Sequence, residues 1–232
     1  MNQGRVCVII PALNEEETIG LVIDDIPRQA VEEKGYEVEV LVVDNGSTDR
    51  TGQIAGDRGA RVVVEPRLGK GRAMRTALML AKADFIFMLD GDYTYPPGYI
   101  TEMLDLLVET YPVVIGSRLK GQLEKGSMSQ LNVIGNRLLT LMANILYRTR
   151  VSDVCTGYWG LRGEVIPKLK LSANGFDFEA ELFSQVTKNG YQIGEVPVHY
   201  RRRKTPPKLR SLADGVKIGW ALIMKRFRAQ RL

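Results

Sequence analysis

Among its 232 residues the chain has one histidine, His199, and two cysteines, Cys7 and Cys155. A single imidazole excludes His-rich metal clusters and argues against a histidine-based triad, so acid or base chemistry falls to carboxylates, lysine or tyrosine. Two cysteines make neither a disulfide framework nor a zinc site. Cys7 lies in the apolar run Val6 to Ile10, where a small buried thiol is an ordinary occupant. Long hydrophobic runs are missing too. The most apolar stretches, Leu138 to Tyr147 and Val216 to Met224, carry polar breaks and fall well short of the ~20 residues of a spanning helix. Met1-Asn2-Gln3-Gly4-Arg5 leads straight into a short strand without a signal-peptide pattern, and a cytoplasmic location is expected.

Charge is present but unevenly spread around a net +5. Residues 201–232 hold 11 Lys or Arg against one acid, Asp214, whereas the first 200 residues hold 21 basic and 26 acidic side chains. A mildly acidic body thus carries a basic tail. Such a tail suits a polyanion, whether nucleic acid, an anionic membrane surface or a phosphate-bearing substrate, and it also serves as a plain solvated face. With 44% apolar and 25% charged residues the chain suits one domain with a sizeable core. The expected division is residues 1–208 for that domain and 209–232 for a basic amphipathic C-terminal helix.

Short Val- and Ile-rich runs alternate with helical stretches: Arg5 to Ile10, then Glu15 to Glu33; Glu37 to Val43, then Thr48 to Arg58; Ala60 to Val64, then Gly69 to Lys82; and Asp84 to Leu89. This predicts right-handed βαβ units and an α/β fold, a mostly parallel sheet flanked by helices. A helix from about Pro97 to Glu109 and a strand at Val113 to Gly116 extend it, and Lys120 to Ser129 reads as a polar, mobile loop. Gln130 to Tyr147 and Gly175 to Asn189 read as helices, Gln192 to Tyr200 as a strand and Arg201 to Pro207 as a basic loop. On a wheel of about 100° per residue, the last helix, Leu209 to Arg228, gathers Leu212, Val216, Trp220, Ile223, Met224 and Phe227 on one third, with Lys217 and Arg228 beside them. Ile218 and Leu222 fall on the other side, so this helix suits a membrane interface, the sheet or a second subunit.

The run Phe85-Ile86-Phe87-Met88-Leu89-Asp90-Gly91-Asp92 is an apolar strand ending in two carboxylates one residue apart. Open α/β sheets bind ligands at the carboxyl ends of their strands, so the pair suits a divalent cation on a diphosphate; the plainer alternative is that both acids shape the turn. The first strand ends Pro11-Ala12-Leu13-Asn14-Glu15 and the second Val42-Val43-Asp44-Asn45-Gly46-Ser47-Thr48-Asp49. Carboxylates and bent backbone there suit a nucleoside, whose hydroxyl and base N–H groups are donors, or ordinary helix starts. Arg67-Leu68-Gly69-Lys70-Gly71-Arg72-Ala73 lacks both the final glycine of the dinucleotide fingerprint and the Ser/Thr of a P-loop, which leaves Lys70 as a phosphate contact.

These four motifs, in this order on successive strands, together closely resemble the GT-A glycosyltransferases of family 2, strongly from Val6 to about Pro97 and more loosely through Lys208. The resemblance implies a GT-A, Rossmann-like fold with a nucleotide sugar across the strand ends. It assigns that ligand to Pro11, Leu13, Glu15, Val42, Asp44, Lys70, Asp90 and Gly91, and the metal to Asp90 and Asp92, with Asp92 holding Mg²⁺ or Mn²⁺ on the diphosphate. A single in-line displacement with inversion is the simpler mechanism, because no residue is placed for a covalent intermediate.

Ile115-Gly116-Ser117-Arg118, Val151-Ser152-Asp153 with Thr156-Gly157-Tyr158, and Gly175-Phe176-Asp177-Phe178-Glu179 look like the polyprenyl-phosphate sugar synthases, the branch related to dolichyl-phosphate mannose and glucose synthases. That similarity implies transfer of a hexose or N-acetylhexosamine to polyprenyl (dolichyl) phosphate on the cytoplasmic membrane face. Arg118, Arg202 and Lys208 would grip the acceptor phosphate. An acceptor phosphate needs positioning cations more than a base; a sugar hydroxyl needs a base, for which Asp153 and then Asp177 are the candidates, with a cap or loop brace as the alternative for each. The chain departs from the family at Asn45, where Asp is usual, at Thr94, where Gln is frequent, and at Lys204-Thr205-Pro206-Pro207, which replaces the usual Gly and Ser. A UDP-sugar is expected before a GDP-sugar, a membrane surface and a second copy of the chain are candidate partners, and nucleic acid is not expected. The alternatives are a soluble transferase acting on a sugar or small-molecule hydroxyl, and a non-catalytic module binding nucleic acid or anionic membranes.

Overall fold

The computed structural model describes residues 4–205 and 211–227; Lys208, Leu209, Arg228 and the side chain of Leu212 lie outside the described residues. Strands Gly4–Ala12 (β1), Tyr36–Asp44 (β2), Arg61–Val64 (β3) and Phe85–Met88 (β4) run parallel, as the alternation of Val/Ile runs with helices predicts. Val113–Ser117 (β5) and Ile193–Pro197 (β7) are parallel to each other, and Trp159–Arg162 (β6) is inserted antiparallel between β4 and β5. The seven-stranded order is β3-β2-β1-β4-β6-β5-β7. The sequence pattern did not announce β6, four residues interrupted by Gly160. Packing explains that glycine: a Cβ there would lie 2.9 Å from Phe87 Cε1 and 3.0 Å from Leu107 Cδ1.

The helices are Ile19–Asp24 (α1), Arg28–Glu33 (α2), Thr51–Asp57 (α3), Lys70–Leu80 (α4), Ile100–Glu109 (α5), Gln130–Tyr147 (α6), Phe178–Lys188 (α7) and Ser211–Phe227 (α8). The single helix expected over Glu15 to Glu33 is two, because Pro27 stands between them and has no N–H to continue the first. Alternate residues of the central strands feed two cores. Cys7, Ile9, Leu41, Val43, Ile86 and Met88 pack with α4, α6, α7 and α8, while Val6, Val8, Ile10, Val40, Val42 and Phe87 pack with α1, α2, α3 and α5. Burial on both faces is why these strands read as continuous apolar runs, not alternating ones. The polar stretch Lys120 to Ser129 is tied to the body by backbone bonds to Tyr200, from Glu124 N (3.0 Å) and to Gln122 O (2.8 Å).

Helix α8 packs by what the wheel gave as its lesser side. Ile218 and Leu222 are buried, Tyr147 Oη donates to Leu222 O (2.8 Å), Arg226 Nε donates to Leu146 O (2.7 Å), and Lys225 is ion-paired with Glu181. The main apolar stripe is left outside, with Val216, Trp220, Met224 and Phe227 between 47% and 75% exposed. Helix α6 repeats the inversion: Thr140 and Ala143 are buried, and Leu131, Ile134, Leu138, Leu141 and Ile145 are exposed. No helix among the described residues is long and apolar enough to cross a membrane. Leu222→Ala should therefore cost about 2–5 kcal/mol in urea unfolding, and Trp220→Ala no more than about 0.5 kcal/mol, although tryptophan is the larger side chain. Equal losses at the two positions would mean that α8 packs by its other face.

Candidate active site

The carboxyl ends of β1, β2 and β4 come level because Asn45 N donates to Ala12 O (2.8 Å) and Leu89 N to Ile9 O (3.1 Å). The turn after β1 is then stitched to the Asp-Gly-Asp turn by Thr18, whose hydroxyl donates to Gly91 O (2.8 Å) and lies 3.2 Å from Glu15 Oε2. This gathers Glu15, Asp90 and Asp92. Asp92 Oδ1 accepts from Thr94 N (3.1 Å) and Thr94 Oγ1 (2.6 Å), so the residue standing where the family often has Gln orients the second acid. Asp92 Oδ2 lies 3.1 Å from Arg203 Nη1, and Arg203 Nη2 lies 3.0 Å from Glu15 Oε1. Burial and then the charge of Asp90 hold the Asp92 carboxyl above the usual range, with Arg203 opposing them.

Asp90 is held from the other side. Its Oδ1 lies 2.6 Å from Lys70 Nζ, which also lies 2.7 Å from Glu179 Oε1 in the first turn of α7. Burial disfavours the Lys70 ammonium, but Asp90 and Glu179 outweigh it and keep the pKa above that of an ordinary lysine. Gly157 makes room for Asp90: a Cβ at that position would stand 2.5 Å from Asp90 Oδ2. Asp90 and Asp92, one residue apart and each already drawing a cation, are the donor set that Mg²⁺ or Mn²⁺ takes from a protein when substrate phosphates and water complete its octahedron. No cluster of three or more His, Cys, Asp or Glu side chains able to hold a metal alone occurs among the described residues. Burial foremost pushes both thiols, Cys7 and Cys155, up to about 12, which rules out a thiolate nucleophile near neutral pH.

At the ends of β1 and β2, Pro11, Leu13 and Asp44 are partly exposed and Gly91 is buried. Asp44 Oδ1 accepts from Ser47 N (2.9 Å), which shapes the turn. Val42, expected to bind the nucleotide sugar, is instead fully buried in the core beside Ile10, two residues short of the end of β2. Asn45 has a use that the usual aspartate could not serve: its amide donates to Glu65 O (2.9 Å) and Arg67 O (2.9 Å), and its oxygen accepts from Gly69 N (2.7 Å). A carboxylate has no N–H to give. Asn45 thereby fixes the Gly-Lys-Gly turn from which Lys70 projects.

Just beyond β5, Arg118 and Asp153 form a buried two-toothed pair, Nε to Oδ2 at 2.7 Å and Nη2 to Oδ1 at 2.8 Å, with Arg118 N also donating to Oδ2 (3.1 Å). Asp153, expected as a base, is thus the enclosed partner of Arg118, because both of its oxygens are taken up by that side chain. The Tyr200 ring lies 5.4 Å from the guanidinium, and burial notwithstanding, Asp153 raises the Arg118 pKa further. Asp177 stands at the N-cap position of α7 with Oδ1 accepting from Gly175 N (3.2 Å). Arg202 is exposed along the Glu124 to Gly126 loop and is not brought beside Asp92; Lys208 lies outside the described residues. Sequence reasoning missed Arg203, Thr205 and Glu179 as site residues. Alternation was the available signal: Arg201 N bonds Thr94 O (2.8 Å), and in extended chain Arg201 and Arg203 share one side while Arg202 takes the other.

Residues 7–169 match the model of glycosyl transferase family 2. The chain is 35% identical over 224 residues to glycosyltransferase AglJ of Haloferax volcanii, covering 96% of this chain and 71% of that protein. It is 35% identical over 216 residues to the dolichyl-phosphate hexose transferase of the same organism, covering 93% and 91%. Among solved structures, glucosyl-3-phosphoglycerate synthase from Mycobacterium tuberculosis in complex with Mn²⁺, uridine-diphosphate and glucosyl-3-phosphoglycerate matches with a TM-score of 0.75 at 27% identity, over 97% of this chain and 80% of that one. The matched span runs from β1 through all four strand-end motifs and the antiparallel β6, so the chain belongs to glycosyl transferase family 2 and is a glycosyltransferase of GT-A-like fold.

Proposed function

We propose that this glycosyltransferase moves a sugar from a nucleoside-diphosphate sugar, a UDP-sugar before a GDP-sugar, to polyprenyl (dolichyl) phosphate at a membrane surface, with inversion at the sugar carbon. The observation that carries the reading is the apolar surface of α6 and α8 beside the Arg118 pair. Helix α6 belongs to both: its inward Thr140 Oγ1 accepts from Val154 N (3.2 Å), next to Asp153, while Leu138 and Leu141 face out. Its 18 residues contain no acid, and Arg137, Arg148, Arg150 and Arg226 are exposed on or just beyond these helices. Apolar side chains ringed by cations suit the headgroup region of an anionic bilayer, where each cation contributes about 1 kcal/mol. The similarity to a dolichyl-phosphate hexose transferase supports the acceptor, and the Mn²⁺ and uridine-diphosphate of the matched synthase structure support the donor.

Bound by Asp92 and Asp90, Mg²⁺ or Mn²⁺ would supply stabilisation of the charge that develops on the departing diphosphate. The chain's own groups do the remaining work. Pro11 and Leu13 line the nucleoside while Glu15 and Asp44 accept from its donors. Lys70, fixed between Asp90 and Glu179, presents a permanent positive charge to the phosphates. Arg118 keeps three of its five N–H donors beyond those given to Asp153, and with Arg202 and Lys208 it orients the acceptor phosphate. That phosphate is already an anion, so attack needs placement more than proton removal. Asp153 is accordingly a positioning residue, and Asp177 braces the start of α7.

Asp92→Ala is expected to lower turnover at least about 10²-fold with circular dichroism and melting unchanged; near-normal metal-dependent turnover would sink the assignment. With labelled nucleotide sugar, product should enter organic solvent only when polyprenyl phosphate is supplied. A water-soluble product formed from a phosphorylated small molecule, with no lipid product, would instead mark a soluble acceptor. The combined variant Leu138→Glu, Trp220→Glu and Phe227→Glu should bind anionic vesicles at least about tenfold more weakly in sedimentation while melting as the parent does. Unchanged vesicle binding, or loss of a dimer in its place, would assign the surface to something other than lipid.

A further inference from the structure

We propose that Arg203 stands in for the divalent cation when the site is without ligand, so that cation binding and release of the segment 201–205 are one event. This rests on the metal-dependent reading above. The segment runs beside the Asp-Gly-Asp turn because Arg201 N donates to Thr94 O (2.8 Å), two residues past Asp92. From there the extended chain delivers one guanidinium to two buried acids at once: Nη1 to Asp92 Oδ2 at 3.1 Å and Nη2 to Glu15 Oε1 at 3.0 Å. Thr205 closes the arrangement, accepting from Arg203 Nε (3.2 Å) and donating to Glu15 Oε2 (3.1 Å). The side chain of Arg203 is only 24% exposed, and those of Glu15 and Asp92 are 5% and 7% exposed.

Charge and geometry make the two cations exclusive. Among the described residues, Glu15, Asp90, Asp92 and Glu179 bring four carboxylates together against two cations, Lys70 and Arg203. Lys70 is committed to Asp90 and Glu179, so among the described residues Arg203 is the cation on Asp92. A divalent ion coordinates a carboxylate oxygen at about 2.0–2.1 Å. Oδ1 already accepts two bonds from Thr94, so Oδ2 is the oxygen left for a divalent ion, and there the ion is repelled by the guanidinium that sits on it. Arg203 therefore has to leave, and Thr205, fastened through both Arg203 and Glu15, loosens with it. Because Arg203 bridges Asp92 and Glu15, displacing it takes the same guanidinium off both carboxylates.

The test reads Mn²⁺ alone, by electron paramagnetic resonance without nucleotide, on the full chain. If the strap is closed about nine-tenths of the time, Arg203→Ala should bind Mn²⁺ about tenfold tighter than the parent, and Asp92→Asn should lose it. In the parent, Mn²⁺ alone should also speed amide hydrogen exchange over residues 200–205. Should Arg203→Ala not fold, Thr205→Val unfastens the strap while keeping the charge, and should tighten Mn²⁺ binding in the same direction. The proposal is overturned if neither variant binds Mn²⁺ more tightly than the parent while Asp92→Asn loses it, or if Mn²⁺ saturates the parent without changing exchange at 200–205. Absence of Mn²⁺ binding by the parent and by Arg203→Ala, even with UDP, would overturn the metal-dependent reading itself.

Discussion

Four carboxylates crowded at the ends of buried strands are the constraint around which the rest of the molecule is arranged. Glu15, Asp92 and Glu179 are nearly inaccessible, and Asp90 lies among them. A buried carboxylate is expensive unless a cation meets it. Lys70 and Arg203 meet that demand from opposite sides, one from the start of a helix in the first half of the chain and the other from the basic segment after the last strand. The resulting excess of negative charge is what a divalent ion with a diphosphate can use. The buried carboxylates are thus met by one fixed cation, Lys70, and one on the extended segment, Arg203.

The supporting parts are small and specific. Asn45 links the end of β2 to the Gly-Lys-Gly turn with an amide that gives and accepts at once, so Lys70 is aimed by a neighbour that looks, on paper, like a lost acid. Gly157 leaves space for Asp90, and Gly160 lets β6 lie against Phe87 and Leu107. Thr94 turns Asp92. Asp153 takes both teeth of Arg118 and converts a flexible cation into a fixed one. Each of these residues works by fixing or making room for a neighbour.

Away from the site, α6 and α8 bury their lesser faces. Their inward contacts are short or polar, through Thr140, Ala143, Ile218, Leu222 and the Lys225–Glu181 pair, and nine large apolar side chains are left outside. Exposed apolar area of that extent on adjacent helices marks a contact surface more than a packing error.

The sequence by itself determined the sheet-and-helix alternation, the parallel half of the sheet, the carboxylates at the strand ends and the family, because strand burial on two faces and ordered motifs leave direct traces in residue type. Helix α6 was legible to its boundaries as an apolar run after a polar loop, and the structure adds that Ser129 caps it. Only the tertiary structure decided which residues complete the site. Arg203 rather than Arg202 enters it because one bond to Thr94 sets the phase of an extended segment, and three consecutive arginines carry no phase of their own. Val42 turned inward, Asp153 became the partner of Arg118, and α8 chose Leu222 over Trp220, since side-chain direction depends on what lies across the chain from each position, and those neighbours are distant in sequence.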